Sequence, residues 1–140
     1  MPGSLPVRTY QDLLVWQRAV DLVIGIYELT EQFPRSELYG LTSQMRRAAV
    51  SIPSNIAEGR RRGTRRDFRN FLVTAYGSGA ELETQIIIAK RLSFALPQSF
   101  EVVDRQLDEV MRMLNRMVVS LQATREESLQ AKKLRSYKHV

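Results

Sequence analysis

Phe100, Val103, Leu107, Val110, Leu114, Met117 and Leu121 follow one another at alternating steps of three and four residues. Only a helix brings such a series onto one face, and three unbroken heptads form a seam that other helices must cover. The same spacing recurs three times upstream. Phe68, Phe71, Ala75, Gly79, Leu82, Ile86 and Ala89 make one face, and Leu41, Met45, Ala48, Ile52 and Ile56 another. Leu13, Trp16, Val20, Val23 and Tyr27 make the first. No segment alternates with period two, and no Asn-Gly or Asp-Gly turn is present, so nothing in the chain asks for a sheet. The fold class that follows is all-α, an up-down-up-down antiparallel four-helix bundle.

The boundaries come from capping and breaking residues. Helix 1 is predicted from Asp12, a good cap, to about Gln32, and helix 2 from about Leu41 to Arg61. Helix 3 starts with Thr64 capping and Asp67 answering three residues later, and ends near Phe94. Pro97 opens helix 4 at a position that suits proline. Residues 1–11 read as an N-terminal arm, 12–123 as the bundle and 124–140 as a basic C-terminal tail. Helix 1 also carries a second apolar stripe, Leu22, Ile26, Leu29 and Phe33, which is more than one neighbour covers. Pro53 lies inside helix 2, where proline loses an amide bond and clashes with the carbonyl four residues back, at about 3 kcal/mol. With Ser51, Ser54 and Asn55 around it, it predicts a kink that lets helix 2 wrap its neighbours.

Composition closes off several functions. At 140 residues the chain can bury a core without staples, and it has no cysteine, which excludes a disulfide framework, a thiolate metal site and a thiol nucleophile. The start, MPGSLPVRTYQ, lacks the pattern of a signal peptide, and Leu13 to Leu29 is interrupted by Gln17, Arg18, Asp21 and Glu28. A cytoplasmic protein with no membrane span is expected. The one histidine, His139, is next to last, so Glu58, Glu81 and Glu83 have no Glu-x-x-His partner for a di-iron site. Glu58 is expected to pair with an arginine. YGSGA falls within a helix rather than at a strand-to-helix elbow, and no glycine-rich phosphate loop occurs. The expectation is a non-enzyme with no metal or other cofactor.

Charge points the other way, toward a partner. The net charge is +6, and RRRGTRRDFR, Arg60 to Arg69, holds +5 of it, which leaves the rest of the chain near neutral. One aspartate cannot absorb six arginines, and arginine takes phosphate oxygens in a forked geometry that lysine lacks. The run lies where helix 2 ends and helix 3 begins, so free amides could join it. Arg60, Arg61, Arg62, Arg65, Arg66 and Arg69 are therefore the candidate phosphate contacts for RNA or DNA, with Arg46 and Arg47 as outlying candidates. Arg46 and Arg60 are fourteen residues apart, nearly four turns, and share a face if the kink is mild. No base-stacking aromatics or reading motifs accompany the run, so strong sequence specificity is not expected. The competing expectation is a protein-protein scaffold whose arginines meet acidic surfaces.

YQDLLVWQRAVDL, LTSQMRRAAVSIPSNIAEG and FLVTAYGSGAELETQI, followed by a heptad helix, closely resemble the bacterial four-helix-bundle proteins of the large-subunit rRNA intervening-sequence family. Relatives of that family include the accessory variability proteins of diversity-generating retroelements. The resemblance spans about Tyr10 to Leu121. It implies a ring-shaped homo-oligomer, a pentamer, and for the retroelement relatives a basic surface that binds nucleic acid and a reverse transcriptase. It also implies that the second stripe of helix 1 is subunit interface. Gly77, Ser78, Gly79 and Ala80 lie in mid-helix, where glycine costs about 1 kcal/mol relative to alanine, and these small residues are expected to let another helix approach closely.

Overall fold

The computed structural model describes residues 9–137, and the side chains of all of these except 123–128, 131 and 135–137. Most of the expected N-terminal arm, and His139, lie outside the described residues. Four helices, α1 (Leu14–Thr30), α2 (Ser43–Arg61), α3 (Arg65–Arg91) and α4 (Pro97–Tyr137), pack in a closed cycle in which each touches two neighbours. The ends show that successive helices are antiparallel. Phe33 after α1 meets Phe94 after α3 at 5.4 Å between ring centroids, while Arg61 at the end of α2 lies over Tyr10 before α1. No strand is present among the described residues, and none of the helices is long and apolar enough to cross a membrane.

The core follows the heptad reading closely in α2 to α4. Met45, Ala48, Ile52 and Ile56 from α2 meet Ala75, Leu82, Ile86 and Ala89 from α3 and Phe100, Val103, Leu107, Val110 and Leu114 from α4, all buried. Leu72 and Gln85 are buried beside them. In α1 the roles of the two stripes are reversed. Leu22, Ile26, Leu29 and Phe33 are 0%, 0%, 2% and 7% exposed inside the chain's own core, so they are not a subunit interface. They continue upward through Val15 and Ala19 at steps of four and three, the true seam of this helix. Trp16, Val20 and Val23 are half-buried at its edge and Tyr27 is exposed.

Three local features bear on the sequence reading. Asp12 does not cap α1. It closes a preceding 3-10 turn, Tyr10–Asp12, where its carboxylate accepts from the Thr9 amide and the Thr9 hydroxyl accepts from the Gln11 amide. Pro53 removes a hydrogen bond without ending α2, which runs unbroken from Ser43 to Arg61 with Pro53 buried. The nearby polar side chains bond Val50 and Ser51: Ser54 donates to the Val50 carbonyl, and Asn55 to the carbonyl and hydroxyl of Ser51. The irregular backbone lies earlier, in a π-turn at Leu38–Thr42 with Gly40 at φ −111°, ψ −116°. Finally, α4 continues as helix to Tyr137, through the stretch set apart as a tail.

The α3–α4 connection shows why the chain turns where it does. Ser93 has φ 55°, its amide donates to the Lys90 carbonyl and the Phe94 amide donates to the Ala89 carbonyl. This is a Schellman cap, whose left-handed position is most often glycine. A left-handed residue with a Cβ costs roughly 1–2 kcal/mol, part of which glycine gives back through its greater freedom when unfolded. Ser93→Gly is accordingly expected to stabilise the protein by about 0.5–1 kcal/mol, read as a higher urea midpoint.

Candidate nucleic-acid interface

The arginine corner is built by a three-residue link. The Arg62 amide still donates to the Glu58 carbonyl, Gly63 takes φ 82°, and Thr64 in extended backbone caps α3. A positive φ at the residue after the helix is the usual device for reversing the chain sharply, and glycine carries no Cβ to obstruct it. The Thr64 hydroxyl accepts from the Asp67 amide at 3.1 Å and its carbonyl from the Phe68 amide at 3.0 Å. The amides of Arg65 and Arg66, the first two of α3, have no acceptor within the helix by its geometry. Two adjoining helix ends thus present cations and open N–H groups at one point.

The six arginines divide into two groups of three. Arg61 lies over the Tyr10 ring with its guanidinium carbon 5.5 Å from the centroid. Arg62 stacks on Phe71 at 5.3 Å and donates from Nη2 to Glu58 Oε1 at 3.0 Å, the partner expected for Glu58. Arg69 is half-buried, donates from Nη2 to Gln122 Oε1 on α4 at 2.9 Å, and keeps its Nε buried without a partner. Arg60, Arg65 and Arg66 are exposed and have no ion pair, hydrogen bond or ring contact among the described residues. Three guanidiniums are therefore held in place, at little further entropic cost on binding, and three are free to seek an acceptor. The pairs that hold Arg61 and Arg62 are exposed contacts worth about 1 kcal/mol at most, so they do not neutralise the corner.

The two outlying candidates do not join it. Arg46 and Arg60 share a helical face, but fourteen residues at the helical rise separate them by roughly 21 Å. The Arg46 guanidinium turns to α1, with Nε donating to Thr30 Oγ1 at 2.9 Å and its plane over Tyr27 at 4.5 Å. Arg47 is exposed and lies near the same far end of α2. Of the candidate arginines, the structure brings together only those of the corner.

A second feature was not read from the sequence. Residues 48–57 of α2 and 70–80 of α3 contain no ionisable group except Tyr76, and these stretches lie side by side, with Ser51 and Ser78 hydroxyls 2.7 Å apart. Their outer surface includes Val50, Ser54, Val73, Thr74, Tyr76, Gly77 and Ala80, all exposed. Gly79 points inward instead, where a Cβ would strike Met111 of α4. The signal was available as two charge-free stretches in a chain that is 26% charged. Among the described residues no cluster of His, Asp and Glu could hold a metal ion.

A family model described as "23S rRNA-intervening sequence protein" matches residues 11–116. Among solved structures, the chain resembles a protein of unknown function from the S23 ribosomal protein family of Bacteroides thetaiotaomicron VPI-5482, with 20% sequence identity and a TM-score of 0.67. The alignment covers 75% of this chain and 98% of that one, and at such identity it speaks for the fold alone. No functionally curated protein matches.

Proposed function

This chain belongs to the 23S rRNA-intervening sequence protein family, and from that premise we propose that it is a non-enzymatic, cytoplasmic binding protein that grips RNA by its phosphates at the Arg60–Arg69 corner. The observation that carries the reading is the group of three unpaired guanidiniums, Arg60, Arg65 and Arg66, set around the open end of α3 beside three that are held. Phosphate oxygens satisfy both the forked guanidinium and the open amides. Nothing in the corner is arranged to read a base edge or gives a free aromatic platform, so the grip is on the backbone and tolerates many sequences. The family description favours RNA over DNA. A nucleic-acid enzyme, such as the reverse transcriptase implied by the retroelement resemblance, is the protein partner that would act on RNA held there.

The test is fluorescence anisotropy with labelled single-stranded RNA across a salt series, with duplex DNA alongside. Three to six phosphate contacts give a slope of log affinity against log salt of roughly −2 to −4 on a single strand. Absence of binding at low salt by a folded protein would overturn the reading and leave the scaffold alternative.

Self-association, which the resemblance implies as a ring of five, is proposed to use the uncharged outer face of α2 and α3. An interface there desolvates no charge, and its small residues let a second copy approach closely. Gly77→Arg puts a charge well inside this face, at a position where an added Cβ meets nothing within 4 Å. It is expected to convert the oligomer to monomer by light scattering while leaving the helical circular dichroism unchanged. An unaltered mass would move the interface elsewhere.

A further inference from the structure

Arg46, excluded from the corner, serves a different arrangement at the opposite end of the bundle. A cavity of about 460 Å³ opens between the end of α1 and the start of α2, lined by Thr30, Glu31, Phe33, Pro34, Arg35, Leu38, Thr42 and Arg46. That size lies within the range of small-molecule sites, which combine apolar walls with a few fixed polar groups. The walls here are Phe33, Pro34 and Leu38. The polar groups are two guanidiniums, two hydroxyls and the Glu31 carboxylate.

Arg46 is pre-set for a ligand. Its side chain is only 22% exposed, held by the Thr30 hydroxyl and the Tyr27 ring. Thr30 in turn donates to the Ile26 carbonyl at 2.8 Å, which leaves its oxygen lone pairs facing Arg46. The carboxylate nearest to Arg46, Glu31 Oε1, is 3.5 Å from Nη2 and its side chain is 77% exposed, longer than a good charged hydrogen bond and free to swing into water. Arg35 is exposed and has no ion pair among the described residues. Thr42 is 3% exposed, lines the cavity, and its hydroxyl has no hydrogen-bond partner among the described residues. That hydroxyl is free to donate to a ligand.

We propose that this cavity is a second binding site, for a small ligand that carries an oxyanion on an apolar body, either a carboxylate or a phosphate monoester. The anion would sit between Arg35 and Arg46 with the Thr42 hydroxyl donating to it, and the body against Phe33 and Leu38. The site is independent of the arginine corner: neither Arg35 nor Thr42 takes part there.

The probes are benzoate and phenyl phosphate, with benzamide as the uncharged control, titrated into the full chain while the methyl resonances of Leu38 and Thr42 are followed by NMR. At least one anion is expected to give a saturable shift and to bind about tenfold more tightly than benzamide, the worth of one charge-assisted bond. Which anion does so identifies the carboxylate or the phosphate source. Arg35→Gln, at an exposed and unpaired position, leaves the fold intact and is expected to weaken that binding severalfold. Glutamine at Arg60, Arg65 and Arg66 is expected to leave it unchanged. No saturable shift with either anion, equal binding of benzamide, or indifference to Arg35→Gln would overturn the proposal.

Discussion

Replacing Arg60, Arg65 and Arg66 together by glutamine is expected to remove about two units from the salt slope of RNA binding, since each phosphate neutralised on a single strand contributes about 0.7. A slope change of two corresponds to about 16-fold less sensitivity over a fourfold rise in salt, from the same relation. Affinity at low salt falls with it. The fold does not, because all three side chains are exposed and make no hydrogen bond, ion pair or ring contact among the described residues, and such positions alter stability by roughly 0.5 kcal/mol at most. A variant that loses binding and helicity together would point to a structural role for these arginines and contradict the assignment. The held arginines are less clean probes. Arg69→Gln also breaks the contact to Gln122, and Arg62→Gln the pair with Glu58.

Gly59→Ala is the second large effect, and it concerns the spacing of the two helices that form the corner. A Cβ at Gly59 would lie 2.5 Å from Phe71 Cβ, 3.2 Å from its Cγ and 3.3 Å from Phe68 Cδ1. Phe71 Cβ is one bond from the α3 backbone, so it cannot swing aside as a flexible side-chain end would. Either α2 and α3 part or both distort. Overpacking of this kind costs about 1–3 kcal/mol, against about 1 kcal/mol gained when alanine replaces glycine in a helix. The net expectation is a loss of up to about 2 kcal/mol, read as a lower urea midpoint with an unchanged denaturant slope. An unchanged midpoint would mean that the helices have room to spare at this crossing.

Much of the fold was legible because heptad spacing is a geometric statement about faces. For α4 every seam residue named from the sequence is buried or half-buried, and the Thr64 cap and the Glu58 pairing lie where the sequence puts them. Helix 1 was harder. It carries two apolar stripes, and spacing alone does not rank them. The bundle chose the one containing Leu22 and Ile26, which continues through Val15 and Ala19, and left Trp16 and Tyr27 to its edge. Asp12 was assigned to the wrong turn because a short 3-10 turn precedes α1 and uses the same residue as its closing acid. Pro53 is expected to lie inside a helix 2 that continues to Arg61, and α2 does run through it, while the irregular turn at Gly40 is marked by no periodicity.

The candidate site was legible as a charge cluster and not as a geometry. A run of six arginines says where cations are dense. It does not say that Arg61 and Arg62 lie on Tyr10 and Phe71, that Arg69 reaches α4, or that only three remain free. Arg46 shows the converse limit. It occupies the same face of α2 as Arg60, but Thr30 and Tyr27 on another helix decide where its guanidinium goes, and those contacts depend on how α1 and α2 pack.

The most direct measurement sets position against charge. Single-stranded RNA binding would be measured at several salt concentrations for the wild type, for Arg60, Arg65 and Arg66 changed to glutamine, and for Arg91, Arg105 and Arg116 changed to glutamine. The second trio is also exposed and without ion pairs among the described residues, so both variants lose the same charge. If the corner holds the RNA, the first variant loses affinity and salt slope while the second keeps nearly all of both. Equal losses in the two would mean that net charge alone attracts RNA and that the arginine corner is not a site.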